Sequence, residues 1–166
     1  MNKKIYSKYT LVLLLFFSVG LYSCSSSKEA RGIKSNINGN WILQTVTADG
    51  ITGIVKTKVF NEAEFACFIG SEWNFIANNS MGSYTIVDAK KDCPKIKRFI
   101  RWSIYEPKDL PKEFQFKRLD DKKNPMDGNA GFRLKVTQLD AAQMKLTSEI
   151  TFDGRPATIT YNFVKK

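Results

Sequence analysis

Three cysteines, Cys24, Cys67 and Cys93, are the residues of this chain that offer the most chemistry. The sequence of 166 residues contains no histidine. A cysteine or serine nucleophile therefore has no imidazole to activate it, and the usual zinc and haem sites lack their common ligand. On these grounds we expect no catalytic residue, no metal site and no cofactor.

Acidic residues occur in two stretches that invite other chemistry. Glu62 and Glu64 are close in sequence, but no third group beside them indicates general acid–base catalysis. The second stretch is DDKKNPMDGNAG, Asp120 to Gly131. A calcium-binding loop has acids at alternate positions before a glycine and a glutamate at its end, and this stretch has neither feature. A solvated loop is favoured there, and a hydrolase or isomerase is kept only as an alternative.

The N-terminus has the pattern of a secretory signal. Lysines at positions 3, 4 and 8 precede the apolar run LVLLLFFSVGLY, residues 11–22, which is shorter than the ~20 residues that span a bilayer. LYSC, Leu21 to Cys24, resembles a bacterial lipobox, whose cysteine is lipidated and becomes the first mature residue. We expect a lipoprotein signal peptide at 1–23 and acylation of Cys24. Ordinary cleavage that leaves a free thiol is the alternative.

The mature chain is expected in the cell envelope, anchored in membrane lipid through the acylated Cys24. The outer membrane is the expected location, with the protein facing the periplasm or the surface. Because an exported, tethered protein rarely meets nucleic acid, we expect no nucleic-acid partner. Residues 24–36 are polar and predict a flexible tether between the anchor and the domain.

The chain is basic, and export lowers its charge only in part. Removal of 1–23 takes away three lysines and no acid, which lowers the net charge from +10 to +7. The basic stretch KKDCPKIKRFIR, residues 90–101, is either a solvated face or a contact for anionic lipid or glycan. A contact of that kind should weaken as the salt concentration rises.

Cys67 and Cys93 form an even pair once Cys24 is lipidated. In an oxidising compartment such a pair indicates a disulfide, whereas a redox-active pair would more typically be C-x-x-C. The bond would close a span of 26 residues and stabilise the fold by roughly 3.5 kcal/mol on the chain-entropy estimate. We therefore expect a structural disulfide.

Period-two alternation of apolar residues dominates from Asn40 onward and predicts strands. The strongest signal is Asp153-Gly154 between two alternating runs, which is typical of a hairpin turn. The predicted strands are 40–48, 73–77, 82–87, 98–106, 113–119, 131–139, 143–152 and 156–165.

Eight antiparallel strands with mostly short turns predict an all-β chain, folded as a closed up-and-down barrel. A β-sandwich is the structural alternative. The longer connections at 49–72 and 120–130 are expected to cover a mouth of the barrel or close an end.

A family resemblance rests on motifs in order along the chain. Gly39-Asn40-Trp41 looks like the Gly-x-Trp motif that opens the first lipocalin strand. The rest of the pattern comprises Cys67, Phe68, Gly70, Ser71, Trp73, Asn78, Asn79, Gly82 and Tyr84. Residues 37–166 thereby resemble the lipocalin-like lipoproteins of Gram-negative bacteria, which implies an eight-stranded lipocalin-like barrel domain.

Two features of typical lipocalins are missing. QLDAAQM, Gln138 to Met144, does not match their Thr-Asp-Tyr turn, and Lys165 and Lys166 stand where an arginine packs over the first-strand tryptophan. The receptor contacts of typical lipocalins are therefore not carried over to this chain.

Function depends on whether the barrel is hollow. The expected function is binding of a small hydrophobic or amphiphilic ligand without catalysis, and the alternative is a filled barrel that serves as a surface interaction or envelope-structural module. The candidate cavity residues are Trp73, Phe75, Tyr84, Trp102, Phe114, Phe116, Arg118, Phe132, Gln138 and Tyr161.

Overall fold

The protein is described by a computed structural model over residues 27–51, 58–87, 92–128 and 130–166. The predicted signal peptide at 1–23 and the lipidation site Cys24 lie outside the described residues. The chain is mainly β, as the period-two pattern predicts. Within the described ranges no helix has the length and apolar character that crossing a bilayer requires.

The elements follow one another with mostly short connections. In chain order they are α1 (Lys28–Ile37), β1 (Gly39–Asp49), β2 (Lys58–Val59), β3 (Ala63–Glu64), α2 (Phe65–Phe68), β4 (Glu72–Ile76), β5 (Met81–Ile86), β6 (Ile96–Tyr105), β7 (Glu113–Leu119), β8 (Phe132–Leu139), β9 (Gln143–Phe152) and β10 (Arg155–Lys165). The eight predicted strands correspond to β1 and β4 to β10.

These eight strands form a closed antiparallel barrel in which each pairs with its neighbour along the chain and β1 pairs with both β4 and β10. The up-and-down barrel is therefore confirmed, and closure leaves it no open sheet edge. The short strands β2 and β3 pair only with each other and belong to the connection before β4.

The hairpin between β9 and β10 has the turn that its sequence predicts. Asp153 and Gly154 have φ of 48° and 75°, the left-handed values that a type I′ turn needs at both central positions. The flanking residues Phe152 and Arg155 are paired across the turn, which fixes the register of the two strands.

Two bulges interrupt the alternation of side chains between interior and exterior. The register shifts in β1 between Leu43 and Thr45, and in β8 between Val136 and Gln138. A bulge adds one residue to a strand, so the side chains beyond it change faces. In β1 the interior set accordingly runs Leu43 and then Val46, three residues apart.

Helix α1 replaces most of the predicted tether. Ser27 caps it, because its hydroxyl accepts a hydrogen bond from the Ala30 backbone N–H at 2.9 Å. Ala30 and Ile37 are buried and Ile33 packs against the core, at a helical spacing that places them on one face. Residues 28–36 are thus part of a packed helix at the end of the barrel, where composition alone predicted a flexible tether.

Candidate functional site

The barrel interior is filled with side chains. A cavity of about 10 Å³ remains between Phe60, Trp73, Phe114, Tyr161 and their neighbours. Ordinary ligand sites measure roughly 300–1,000 Å³, whereas this space is about enough for a single water molecule. The structure therefore offers no ligand-sized space at the centre of the barrel within its described residues.

The residue that fills the mouth comes from the connection between β1 and β4. We call residues 58–68, which comprise β2, β3 and α2, the plug segment. Its Phe60 is only 8% exposed, and its ring lies 5.0 to 6.1 Å from the ring centroids of five aromatic residues, Phe68, Trp73, Phe116, Phe132 and Tyr161. The connection predicted to cover a mouth thus inserts a side chain into it.

The backbone of Phe60 is strained. Phe60 has a φ of 52°, in the left-handed region that costs a residue such as phenylalanine about 1–2 kcal/mol, whereas Asn61, at a φ of 51°, is of a type that tolerates this region. Packing of the Phe60 ring compensates for this cost, because full burial of a phenylalanine side chain contributes about 1.5–3 kcal/mol.

Below Phe60 the plug segment is held by an ionic cluster that we call the carboxylate network, made of Glu62, Tyr84, Arg98, Arg118 and Asp127. Glu62 accepts from the Tyr84 hydroxyl at 2.5 Å, from Arg98 at 2.7 and 3.0 Å, and from Arg118 at 2.9 Å. Arg118 also donates to both carboxylate oxygens of Asp127, at 2.6 and 2.9 Å. The network therefore joins the plug segment to β5, β6, β7 and the loop after β7.

Most members of the carboxylate network are buried, and each shifts the pKa of its neighbours. The side chains of Glu62 and Arg118 are 6% and 7% exposed, and that of Asp127 is 13% exposed. Burial raises the pKa of Glu62, but hydrogen bonds from Arg98, Tyr84 and Arg118 outweigh it and the net pKa is lowered. The hydrogen bonds from Arg118 lower the pKa of Asp127, and burial with the bond to Glu62 raises the pKa of Tyr84. Glu62 and Asp127 are consequently ionised at neutral pH.

The predicted disulfide is confirmed. Cys67 in the plug segment is bonded to Cys93, which precedes β6, and the two Cα atoms are 5.4 Å apart. The bond fastens the C-terminal end of the plug segment to the segment that leads into β6. Cys67 is buried and fully used in this bond, so it has no role as a nucleophile or a metal ligand.

The residues that carry the family resemblance have structural roles around this bond. Gly70 has a φ of 86° and donates through its N–H to the Leu43 carbonyl at 2.7 Å. The buried Ser71 hydroxyl accepts from Trp73 Nε1 at 2.8 Å. A Cβ on Gly82 would lie 2.5 Å from the Asn74 carbonyl, so only glycine fits where β4 and β5 come together. Gly70 and Ser71 therefore shape the turn from the plug segment into β4, and Gly82 lets β5 approach β4 closely.

The first-strand tryptophan is covered by a cation. Trp41 is fully buried, its Nε1 donates to the Ile37 carbonyl at 2.7 Å, and Lys165 Nζ lies 5.1 Å from its ring centroid. Lys165 also donates to the Asn36 carbonyl at 3.1 Å. A lysine thus covers the Trp41 ring and ties the end of β10 to α1.

The ten candidate cavity residues divide into three groups. Arg118 is buried, and its guanidinium is bound to Glu62 and Asp127. Gln138 is exposed and bonded to Gln143 on the outside, because the bulge in β8 turns it outward. Phe132 is half-buried against Phe60. The remaining seven fill the interior: Trp73, Phe75, Tyr84, Trp102, Phe114, Phe116 and Tyr161. Their role as ligand contacts stays a prediction.

The cations of the basic stretch 90–101 are divided between the two faces of the barrel wall, and a contact with anionic lipid or glycan stays a prediction. Arg98 points inward to Glu62, whereas Arg101 is exposed on the outer wall. Lys90 and Lys91 lie outside the described residues. The orientation of the strand accounts for the division, since neighbouring residues of a strand face opposite sides.

The outer wall carries a groove of about 550 Å³ across β6, β7 and the start of β8. We call it the outer groove. Its polar lining consists of Ser80, Arg101, Ser103, Gln115, Lys117 and Arg133. Sequence reasoning did not identify this groove, because its residues come from four separate segments of the chain.

Among the described residues, no group of three or more Cys, Asp and Glu side chains could hold a metal ion. Comparison with family models, with curated proteins and with solved structures finds no match for the chain.

Proposed function

We propose that this protein is an exported, lipid-anchored lipocalin-like barrel that transforms no substrate, and that its filled interior is a rigid support for contacts made by its outer wall. The observation that carries the proposal is the cavity of only about 10 Å³ left around Phe60. Filling by a residue of the chain itself stabilises the barrel without a ligand. This is the filled-barrel alternative that the sequence left open.

The lipocalin-like assignment is supported by more than the strand count. Gly39 and Trp41 open the first strand, and Lys165 lies over the Trp41 ring at 5.1 Å. The up-and-down strand order is also the one that the resemblance implies.

The position of α1 sets the orientation that an anchor at Cys24 would give the barrel. Three serines separate Cys24 from the first helical residue, Lys28, and Ser27 is already fixed as the helix cap. An acylated Cys24 would therefore hold the α1 end of the barrel close to the membrane and leave the plug end facing away. Cys24→Ser should move the protein from the membrane fraction to the soluble fraction and abolish labelling with an alkyne-tagged fatty acid. Unchanged labelling would contradict the anchor.

A non-catalytic role is consistent with the carboxylate network. The Glu62 carboxylate accepts four hydrogen bonds from Tyr84, Arg98 and Arg118. A carboxylate so fully occupied, with its pKa lowered, is poorly suited to take a proton from a substrate. We assign the network to holding the plug segment.

Strain at Phe60 favours one second candidate. The left-handed backbone of Phe60 and Asn61 is a conformation that clusters at ligand clamps and switches. In that case the plug segment opens, and a small hydrophobic molecule takes the place of the Phe60 ring.

A fluorescent fatty acid distinguishes the two candidates. With full-length protein in detergent, the filled barrel predicts no saturable binding by the wild type. Under the second candidate the wild type binds one molecule per chain, and Phe60→Ala raises the affinity because the ligand no longer competes with the ring. Phe99→Ala on the outer wall is the matched control and should have no such effect. Saturable binding by the wild type that only Phe60→Ala strengthens would replace the filled-barrel proposal with the second candidate.

A further inference from the structure

The outer groove brings cations together through the register of the barrel. Arg101 on β6 lies directly opposite Lys117 on β7, and Gln115 on β7 lies between Ser103 on β6 and Arg133 on β8. All five side chains are on the outer face, because the residues that alternate with them, such as Trp102 and Phe116, fill the interior. The groove therefore has two rows of polar groups that run across the strands. One row is Arg101 and Lys117, and the other is Ser103, Gln115 and Arg133.

The positive charges in the groove are poorly compensated. Within the described ranges, Arg101 and Lys117 have neither an ion pair nor a hydrogen bond from their side chains. Arg133 has two distant partners, a carboxylate oxygen of Glu113 at 3.9 Å and the Tyr105 ring, whose centroid is 5.1 Å from the guanidinium carbon. Like charges directly opposite each other on neighbouring strands destabilise a sheet. A bound anion would remove this repulsion.

The groove also contains an unsatisfied donor. Gln115 Nε2 is buried and has no hydrogen-bond partner among the described residues. A buried polar group left unpaired costs about 1–3 kcal/mol. A turn of the Gln115 side chain toward the groove would let an oxygen of a ligand serve as the acceptor that the neighbouring side chains do not supply.

We propose that the outer groove binds a phosphate-bearing ligand. Three cations match a group with a charge of about −2, and the planar arginine fork suits tetrahedral oxyanions. A single carboxylate would leave two of the cations without a partner. The groove volume of about 550 Å³ exceeds that of a phosphate alone and leaves room for a further group, as in a phosphorylated small molecule or a phospholipid head group.

The test uses full-length protein in detergent and follows backbone amide shifts in NMR spectra during titration with glycerol 3-phosphate. We expect saturable binding with the largest shifts on β6, β7 and the start of β8. Arg101→Gln combined with Lys117→Gln should weaken binding at least about tenfold, since two charge-assisted contacts are lost. Lys145→Gln combined with Arg155→Gln removes the same charge from β9 and β10 and should change the affinity less than about twofold.

Dihexanoylphosphatidic acid, a short-chain lipid with the same phosphate, identifies the source. Affinity at least about tenfold above that of glycerol 3-phosphate, a difference of about 1.4 kcal/mol, would assign the groove to lipid head groups, and equal affinity would assign it to soluble phosphates. An unchanged near-UV circular dichroism spectrum confirms that the variants are folded. No saturable binding of either compound, or an equal loss in the two double variants, would overturn the proposal.

Phosphate binding at the outer groove rests on the proposed function in one respect, the use of the outer wall for contacts. The two fail separately. If the groove binds no phosphate, the proposal of a filled interior still stands. If a fatty acid binds inside the barrel, the filled-barrel proposal is wrong, but phosphate binding at the groove is unaffected.

Discussion

The ring of Phe60 stacks on that of Tyr161, with centroids 5.3 Å apart and planes inclined by 25°. Phe60 belongs to a connection and Tyr161 to β10, the last strand of the barrel. A loop residue thus completes the aromatic core. The same side chain, Phe60, both closes the mouth of the barrel and packs its interior.

Removal of the Phe60 ring should destabilise the fold strongly. Phe60→Ala deletes a side chain that contacts five aromatic rings, and deletions of this kind cost about 3–5 kcal/mol. Urea denaturation gives the difference in free energy of unfolding. Phe99→Ala, on the outer wall, should cost well under half as much. Equal effects would contradict the central position of Phe60.

Loss of the Glu62 charge should release the plug segment. Glu62→Gln leaves Arg98 and Arg118 without their shared carboxylate, and breaking a buried pair costs about 3–5 kcal/mol. Because Arg118 keeps Asp127, we expect the lower end of that range. Glu64→Gln, at an exposed position in β3, is the control and should stay within about 0.5 kcal/mol of the wild type. Thermal or urea unfolding measures both.

The network also predicts an acid-dependent loss of stability. The pKa values of Glu62 and Asp127 are lowered by folding, so the folded protein binds their protons less tightly than the unfolded chain does. Their contribution is complete above about pH 5 and is lost as the pH falls through the lowered folded values. Glu62→Gln combined with Asp127→Asn should flatten the fall in stability between about pH 5 and pH 3.

Part of that fall should remain in the double variant. Backbone N–H groups of Asn124 and of Ala142 lower the pKa of Asp120 and of Asp140, respectively, and both carboxylates are retained. A stability profile identical to that of the wild type would show that the carboxylate network is not ionised as described.

The disulfide should stabilise the plug end in particular. Cys67→Ser combined with Cys93→Ser should lower the free energy of unfolding by roughly 3.5 kcal/mol, on the chain-entropy estimate for a separation of 26 residues. Amide hydrogen exchange should accelerate in residues 58–68 more than in β9. Uniform acceleration would mean that the bond does not act on the plug segment.

Much of the barrel was predictable because its signals are local. Alternation placed all eight strands to within about two residues, and Asp153-Gly154 fixed the last hairpin. Helix α1 had a local signal too, the Ser27 cap with Ala30, Ile33 and Ile37 at helical spacing. The segment is polar overall, and its composition therefore favoured a flexible tether over a helix.

The interior of the site was less predictable because its contacts are distant along the chain. Glu62 is separated from Arg98 by 36 residues and from Arg118 by 56. Neither partner can be inferred from the sequence around Glu62. Gln138 was placed inward by strand parity, and the bulge after Val136 that turns it outward has no clear local signature.

Filling of the barrel by its own side chains is tested most directly by native mass spectrometry of the full-length protein, purified from its own membranes in a mild detergent. A filled barrel predicts the mass of the acylated chain alone after detergent is removed in the gas phase. A hydrophobic molecule retained at one per chain, and lost on unfolding, would contradict it.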